Sequence, residues 1–135
     1  MQLGLGTVGR LAMVIDDYPL VIPVNYRMLT DSVGMGILFR TGPGSSVDRA
    51  PERVAFEIDG IDGYRQQGWS VVVRGDLHHL DQSEIDLMSK DFDPRPWPKE
   101  TTAKTAWLIL RPKSISGRRL RAVEPEWTLH PEGYL

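Results

Sequence analysis

The stretch Trp69-Ser70-Val71-Val72-Val73-Arg74 is a short apolar run with three consecutive valines, and a glycine stands at each end of it. Runs of this length between turn residues predict β-strands. The same pattern recurs along the chain in both directions from this stretch. The further predicted strands are residues 11–15, 20–26, 35–41, 54–59, 106–110 and 114–120. We therefore expect a mainly β, antiparallel fold of six or seven strands, a barrel or a sandwich rather than a parallel α/β sheet.

One or two short helices accompany these strands. Asp81 stands three residues before Glu84, which is the spacing of a capping box at a helix start. Residues 45–50 predict one or two further turns, because Pro51 ends the segment.

The predicted strands also carry information about their surroundings. Pro23 lacks an N–H group, so its strand is expected at a sheet edge or a bulge. Several strands are apolar at successive positions, which indicates burial on both faces. In a chain this small we expect a partner subunit to cover the second face. We expect the strands near Trp69 and Trp107 to contribute to that interface.

Composition narrows the functional classes. The chain has 135 residues, which fits one domain over residues 1–135, with a lead-in at 1–7 and a tail at 121–135. It has no cysteine, which excludes disulfides and thiolate chemistry. The 16 Lys and Arg residues against 18 Asp and Glu residues favour no nucleic-acid partner. No signal peptide or membrane-spanning run is recognisable, and we expect a cytoplasmic protein.

Two motifs are weaker than they look. Gly4-Leu5-Gly6-Thr7-Val8-Gly9 matches a dinucleotide-binding pattern, but a strand follows it where that pattern needs a helix. His78 and His79 are neighbours on a predicted strand, so their rings point to opposite faces and cannot chelate one metal ion. His130 stands alone in the tail. We therefore predict no metal site.

The segment Phe39-Arg40-Thr41-Gly42-Pro43-Gly44-Ser45-Ser46 predicts a phosphate site. An arginine can form a two-point charged hydrogen bond with phosphate oxygens, and the threonine and both serines offer hydroxyl groups. The glycines let backbone approach closely, and free N–H groups at a helix start favour an anion. The same residues also suit an ordinary turn with a serine N-cap, and this segment alone does not separate the two interpretations.

The order of segments resembles the pyridoxamine 5'-phosphate oxidase-related family, and in particular its bacterial flavin-nucleotide-binding branch. The resemblance covers residues 8–120. The segments that carry it are Val8-Gly9-Arg10-Leu11-Ala12, Pro23-Val24-Asn25-Tyr26, Phe39-Arg40-Thr41-x-x-Gly44-Ser45, Val54-Ala55-Phe56-Glu57-Ile58-Asp59, Gly68-Trp69-Ser70-Val71-Val72-Val73-Arg74-Gly75 and Arg111-Pro112-x-x-Ile115-x-Gly117-Arg118-Arg119-Leu120.

The resemblance implies a split β-barrel that forms a homodimer with FMN in the cleft between subunits. The flavin ring would lie along the second strand, with Trp69 near the cleft, and the phosphate at the end of the third. Some relatives use the deazaflavin F420. Many relatives carry a lysine where this chain has Ser46. The cofactor-binding residues implied together are Val24, Asn25, Tyr26, Phe39, Arg40, Thr41, Ser45, Ser46 and Trp69.

The resulting prediction is an FMN-binding oxidoreductase with an unknown substrate. The flavin would supply the redox chemistry, so no protein residue is assigned a catalytic role. Tyr26 and Arg74 are candidates for substrate contact. Two alternatives are a flavin or F420 binding protein without turnover, and a dimerisation domain without cofactor. The predicted phosphate segment argues against the last.

Overall fold

A computed structural model describes residues 8–95 and 105–122. In this part of the chain there are seven strands: β1 (Val8–Ile15), β2 (Tyr18–Asn25), β3 (Arg27–Asp31), β4 (Gly34–Thr41), β5 (Arg53–Asp62), β6 (Gln67–His79) and β7 (Ala106–Leu120). They form one antiparallel sheet in the order β2-β1-β5-β6-β7-β4-β3. One short helix, α1 (Gln82–Met88), follows β6. The prediction of a mainly β, antiparallel fold of six or seven strands is confirmed.

The strand boundaries differ from the prediction in two places. Residues 106–110 and 114–120 belong to one strand, β7, which continues through an irregularity opposite Arg74 and Gly75. The short strand β3 was not predicted, although the Ser32-Val33 turn leads it directly into β4. Strand β6 continues its hydrogen-bonded ladder with β7 across residues 111–113. Strand β4 pairs with β3 along the whole length of β3.

A single residue joins two strands that lie at opposite edges of the sheet. Tyr26 alone separates β2 from β3, yet β2 pairs with β1 and β3 pairs with β4. The sheet must therefore curl until its two edges come together, and β2 does approach β4. The ladder itself stays open, which is consistent with a split barrel. Pro23 lies in β2, so its predicted place at a sheet edge is confirmed.

The inner face of the curled sheet holds the main core. Phe56 is fully buried, and the rings of Tyr26 and Phe39 pack edge-to-face against it with centroids 4.9 and 5.4 Å away. Gly9 lies beneath the same ring, because a side chain at this position would collide with Phe56. The other buried members of the core are Leu11, Met13, Ile37, Val47, Val54, Ile58, Val73, Leu77, Leu108 and Leu110.

The outer face of β3, β4 and β7 carries a second, smaller core. Its buried members are Leu29, Leu38 and Ile109. Leu80, Met88 and Phe92, which lie just before, in and after α1, pack against them. The chain's own helical segment therefore packs over this face. The homodimer stays a prediction.

Helix α1 begins as its sequence predicts. The Asp81 carboxylate accepts a hydrogen bond from the backbone N–H of Glu84 at 2.9 Å. The Glu84 carboxylate in turn accepts one from the N–H of Asp81 at 3.1 Å. The capping box is thus complete, which places the helix start and directs α1 over the outer core. Within the described residues, no helix has the length and apolar character needed to cross a bilayer.

Candidate functional site

The predicted phosphate segment forms a tight turn after β4. The hydroxyl groups of Thr41 and Ser45 are hydrogen-bonded to each other at 2.5 Å. The Ser45 hydroxyl also accepts the backbone N–H of Asp48 at 3.2 Å. A single i to i+4 bond, from the N–H of Arg49 to the carbonyl of Ser45, follows. Residues 45–50 are therefore a hydrogen-bonded turn rather than the short helix that the sequence suggested.

A carboxylate lies in the middle of this turn. Asp48 accepts the backbone N–H of Gly44 at 2.7 Å, and Gly44 has a φ of +79°, which its lack of a side chain permits. The other Asp48 oxygen lies 2.9 Å from His79 Nε2. The Gly44 N–H, and secondarily His79, lower the pKa of the Asp48 carboxyl below its usual value. The turn is thus anchored to the end of β6 by an ionised carboxylate.

Arg40 lies on the opposite side of the sheet from Thr41. Neighbouring strand residues point to opposite faces, so Thr41 is buried toward the inner face and Arg40 points to the outer one. There the Arg40 guanidinium donates to both oxygens of Asp93, at 2.8 and 2.9 Å. The same group lies 5.1 Å from the ring centroid of Trp107, a cation–π contact.

The structure therefore brings together only part of the predicted phosphate set. Thr41, Ser45 and the half-buried Ser46 share one turn. Hydroxyl groups beside a glycine-rich backbone fit a phosphate in kind. Two carboxylates already accept from donors that a phosphate would need: Asp48 from the Gly44 N–H, and Asp93 from the Arg40 guanidinium. A phosphate would compete with both carboxylates.

The other residues predicted to bind the cofactor lie in three environments. Tyr26 and Phe39 are only 2% and 1% exposed, so their rings belong to the core. Val24 and Asn25 are half-buried at the end of β2, an edge strand of the described sheet. Trp69 lies near the start of β6 and packs over Gly60, where a side chain would collide with its ring.

Two concave surfaces accompany these residues. One, of about 580 Å³, lies beside Trp69 and is also lined by Arg119 and Arg121. The other, of about 720 Å³, lies on the outer face of the sheet, where Ala12 of β1 pairs with Ala55 of β5 and forms a shallow floor. Arg74, a predicted substrate contact, is exposed and lines this second concavity.

Sequence reasoning missed the two carboxylates. Asp48 stands three residues after Ser45, a spacing that a search for side chains closing the turn would have found. Asp93 is 53 residues from Arg40 along the chain, and nothing local points to that pair. Trp107 lies in a strand whose face was predicted to contribute to a dimer interface, and within the single chain this residue is 5% exposed.

Comparison with known proteins supports the arrangement of these elements. A structure of the FAD-binding protein from Mycobacterium smegmatis is 30% identical, with a TM-score of 0.73 over 90% of this chain and 92% of that one. An FAD-binding protein from Mesorhizobium loti is 24% identical, with a TM-score of 0.69 over 89% and 90% of the two chains.

A third structure, the FAD and heme binding protein from Mycobacterium smegmatis, is 16% identical, with a TM-score of 0.60 over 90% of this chain and 69% of that one. At 24% and 16% identity, the last two similarities concern the fold alone. No protein with curated annotation matches the sequence. The sequence model of the pyridoxamine 5'-phosphate oxidase family matches residues 2–119, nearly the whole chain, and this protein therefore belongs to that family.

Proposed function

We propose that this protein binds FMN and serves as a flavin-dependent oxidoreductase. Membership of the pyridoxamine 5'-phosphate oxidase family supports a flavin, as does the 30% identical relative described as an FAD-binding protein. The observation that carries the proposal is the turn after β4, where Thr41, Ser45 and Ser46 place three hydroxyl groups beside a glycine with positive φ.

The phosphate would be held by this turn. One of the Thr41 and Ser45 hydroxyl groups donates to the other, so two of the three hydroxyl groups would donate to the phosphate oxygens. Gly44 would allow close approach of the backbone. Arg40 points to the outer face, so its guanidinium would add a positive charge only after it leaves Asp93 and turns past the end of β4 toward the phosphate. Asp48 and Asp93 accept hydrogen bonds from the Gly44 N–H and the Arg40 guanidinium. FMN affinity should therefore depend on the free energy needed to break these two bonds.

The flavin ring would lie along the end of β2. An edge strand presents backbone donors and acceptors to whatever lies beside it, and the pyrimidine edge of a flavin carries complementary groups. Val24 and Asn25 are half-buried there, next to the point where β2 approaches β4. Bound in this way, the flavin supplies the electron transfer, and Arg74 is the residue we propose for contact with a substrate.

The position of Trp69 supports a homodimer. Trp69 lies ten residues before His79 in β6, and His79 bonds to the turn through Asp48. At about 3.3 Å per residue, the two ends are on the order of 30 Å apart along the strand. One flavin cannot reach both within a single chain. We therefore propose that the flavin contacts the Trp69 of a second copy.

Flavin titration tests the phosphate assignment. FMN and riboflavin are titrated into the wild type and into a Ser45→Ala/Ser46→Ala variant, with flavin fluorescence as the readout. Hydrogen bonds to charged groups contribute about 1.5–3 kcal/mol, so FMN affinity should fall roughly ten- to a hundredfold. Riboflavin, which lacks the phosphate, should bind both proteins equally. An equal fall for both ligands would show that the serines are structural.

The same assay decides the role of Arg40. Asp93→Asn should strengthen FMN binding, because it releases the guanidinium from its carboxylate partner. Arg40→Ala should weaken FMN binding and leave riboflavin unaffected. The exposed Arg27 of β3 is the matched control, and Arg27→Ala should change neither affinity. If Arg40→Ala weakens both ligands alike, Arg40 only supports the fold.

Two further measurements identify the cofactor and distinguish an oxidoreductase from a binding protein. FAD and F420 are titrated in parallel, and the tightest ligand identifies the cofactor. A wild type that binds none of the flavins would refute the proposal. Reduction of the bound flavin by a nicotinamide cofactor, followed by its reoxidation, is expected for an oxidoreductase. Tight binding without any such turnover would indicate a binding protein instead.

A further inference from the structure

Three side chains with metal-binding atoms converge on the outer face of the sheet, where the start of β5 lies beside the end of β6. They are Glu52, Asp76 and His78, and one ligand atom from each lies within 4.8 Å of the other two. Asp76 is half-buried, and the other two residues are exposed. They are separate from the turn after β4, where the neighbouring His79 bonds to Asp48.

The convergence follows from the strand geometry. Asp76 and His78 are two residues apart in β6, so their side chains leave the same face of the sheet. The residue between them, Leu77, donates its backbone N–H to the Glu52 carbonyl at 2.7 Å. This hydrogen bond fixes the backbone of Glu52 beside the Asp76–His78 pair. The three donors are therefore positioned by the ladder rather than by a mobile loop.

Arg53, Arg74 and Lys113 line the same concavity as Glu52 and Asp76, and in the described part of the chain only Lys113 forms an ion pair with the cluster. Lys113 lies 3.5 Å from Asp76, and its side chain is 73% exposed, so this ion pair is weak. Across residues 8–95 and 105–122, neither Glu52 nor the His78 ring has a hydrogen bond or ion pair from its side chain. Two neighbouring carboxylates repel each other, and a cation shared between them relieves that repulsion.

We propose that Glu52, Asp76 and His78 bind a divalent transition-metal ion of the Zn²⁺ type. One imidazole nitrogen and two carboxylate oxygens suit Zn²⁺ better than Mg²⁺ or Ca²⁺, which prefer oxygen ligands alone. Three protein ligands leave a coordination position open for water or a small ligand. Glu52 and Asp76 also line the 720 Å³ concavity, so that position would be accessible from it.

Zinc titration of the tag-free, full-length chain tests this site. The chain contains three histidines, which allows each to be replaced in turn. Calorimetry on metal-stripped protein should show one Zn²⁺ per chain. His78→Gln should lower the affinity about tenfold or more, since even outer partners of metal ligands are worth about that factor. His79→Gln is the matched control, because its ring bonds to Asp48 and should leave Zn²⁺ binding unchanged. His130→Gln should also bind like the wild type.

A variant that should raise Zn²⁺ affinity separates loss of this site from general damage to the fold, which could only lower the affinity. Lys113 competes with a metal ion for Asp76, so Lys113→Ala should raise Zn²⁺ affinity by up to about fivefold, the size expected from an exposed ion pair. Co²⁺ should give visible absorption bands in the wild type that His78→Gln removes. Absence of saturable Zn²⁺ binding, or equal losses in all three histidine variants, would overturn the proposal.

Discussion

The sheet has two apolar outer surfaces, and they differ in what covers them. On β4 and β7, Leu38 and Ile109 are 0% and 3% exposed, because the segment around α1 packs over them. On β1 and β2, Val14 and Val21 remain 59% and 60% exposed. Both surfaces look alike as sequence, since each has aliphatic residues and an arginine at alternating strand positions. A local apolar pattern thus identifies a face that can be buried, but it does not identify what buries it.

The ion pairs on the two surfaces differ in the same way. Arg40 and Asp93, on the covered surface, keep 15% and 24% of their side chains exposed. Arg10 bonds to Glu57 and Asp59 on the open surface, and its side chain is 49% exposed. A pair shielded from water is expected to contribute more to stability than a solvated one.

The largest expected difference between the two surfaces is in the free energy of unfolding lost when an aliphatic side chain is truncated. Leu38→Ala should lower the free energy of unfolding by about 2–5 kcal/mol, because it leaves a cavity in the outer core. Val21→Ala, on the open surface, should change it by less than about 0.5 kcal/mol. Urea unfolding monitored by tryptophan fluorescence measures both. A large, concentration-dependent loss for Val21→Ala would show instead that a second copy covers β1 and β2.

A smaller difference in stability is expected between variants of the two arginines. Arg40→Ala leaves the half-buried Asp93 carboxylate without its guanidinium, which should cost about 1–3 kcal/mol. Arg10→Ala breaks exposed pairs and should cost less than about 1 kcal/mol. Thermal unfolding of both variants at low and high salt provides the measurement. Equal losses would mean that the exposure of the arginine side chain, 15% for Arg40 and 49% for Arg10, does not set the strength of these ion pairs.

The smallest effects should appear in the pH dependence of stability. The Arg111 guanidinium, with bonds of 2.7 and 3.1 Å, holds the pKa of the Asp31 carboxyl below its usual value of 3.8. The stability from this ionised group is complete above pH 3.8 and is lost as pH falls through the lower folded pKa. Asp31→Asn should therefore lower stability at neutral pH and remove part of the acid-induced loss seen in the wild type.

Glu57 should behave in the opposite way. Burial, and then the neighbouring Asp59, raise the pKa of the Glu57 carboxyl above its usual value of 4.5. Its contribution is complete below pH 4.5 and is lost as pH rises through the folded pKa. Glu57→Gln should thus leave stability unchanged or slightly higher at neutral pH. Unfolding free energies measured between about pH 3 and pH 7 test both variants. A clear loss at neutral pH for Glu57→Gln would contradict the raised pKa.

Most of the fold was predictable from local patterns. Short apolar runs predicted six of the seven strands, and the Asp81–Glu84 spacing predicted the start of α1. Strand β3 was missed because its five residues carry too short a pattern to stand out. Pairing with β4 across the Ser32-Val33 turn supplies what the local pattern lacks.

The sites were less predictable than the fold. The sequence identified Thr41 and Ser45 as neighbours in a turn, and the structure brings their hydroxyl groups together. It grouped Arg40 with them, but alternation along β4 directs that side chain to the other face. The sequence also treated His78 as half of a histidine pair. The sheet instead places it with Asp76 on one side and Glu52 on a neighbouring strand end.

The β class, the turns, the capped helix and the family are readable from the amino-acid order, because each depends on residues close together in the chain or on their order. That α1 covers β4 and β7, that Asp93 pairs with Arg40, and that Glu52 lies beside His78 is visible in the folded chain alone. Side-chain periodicity acts over a few residues. Partners 26 or 53 positions apart are chosen by the curl and register of the whole sheet.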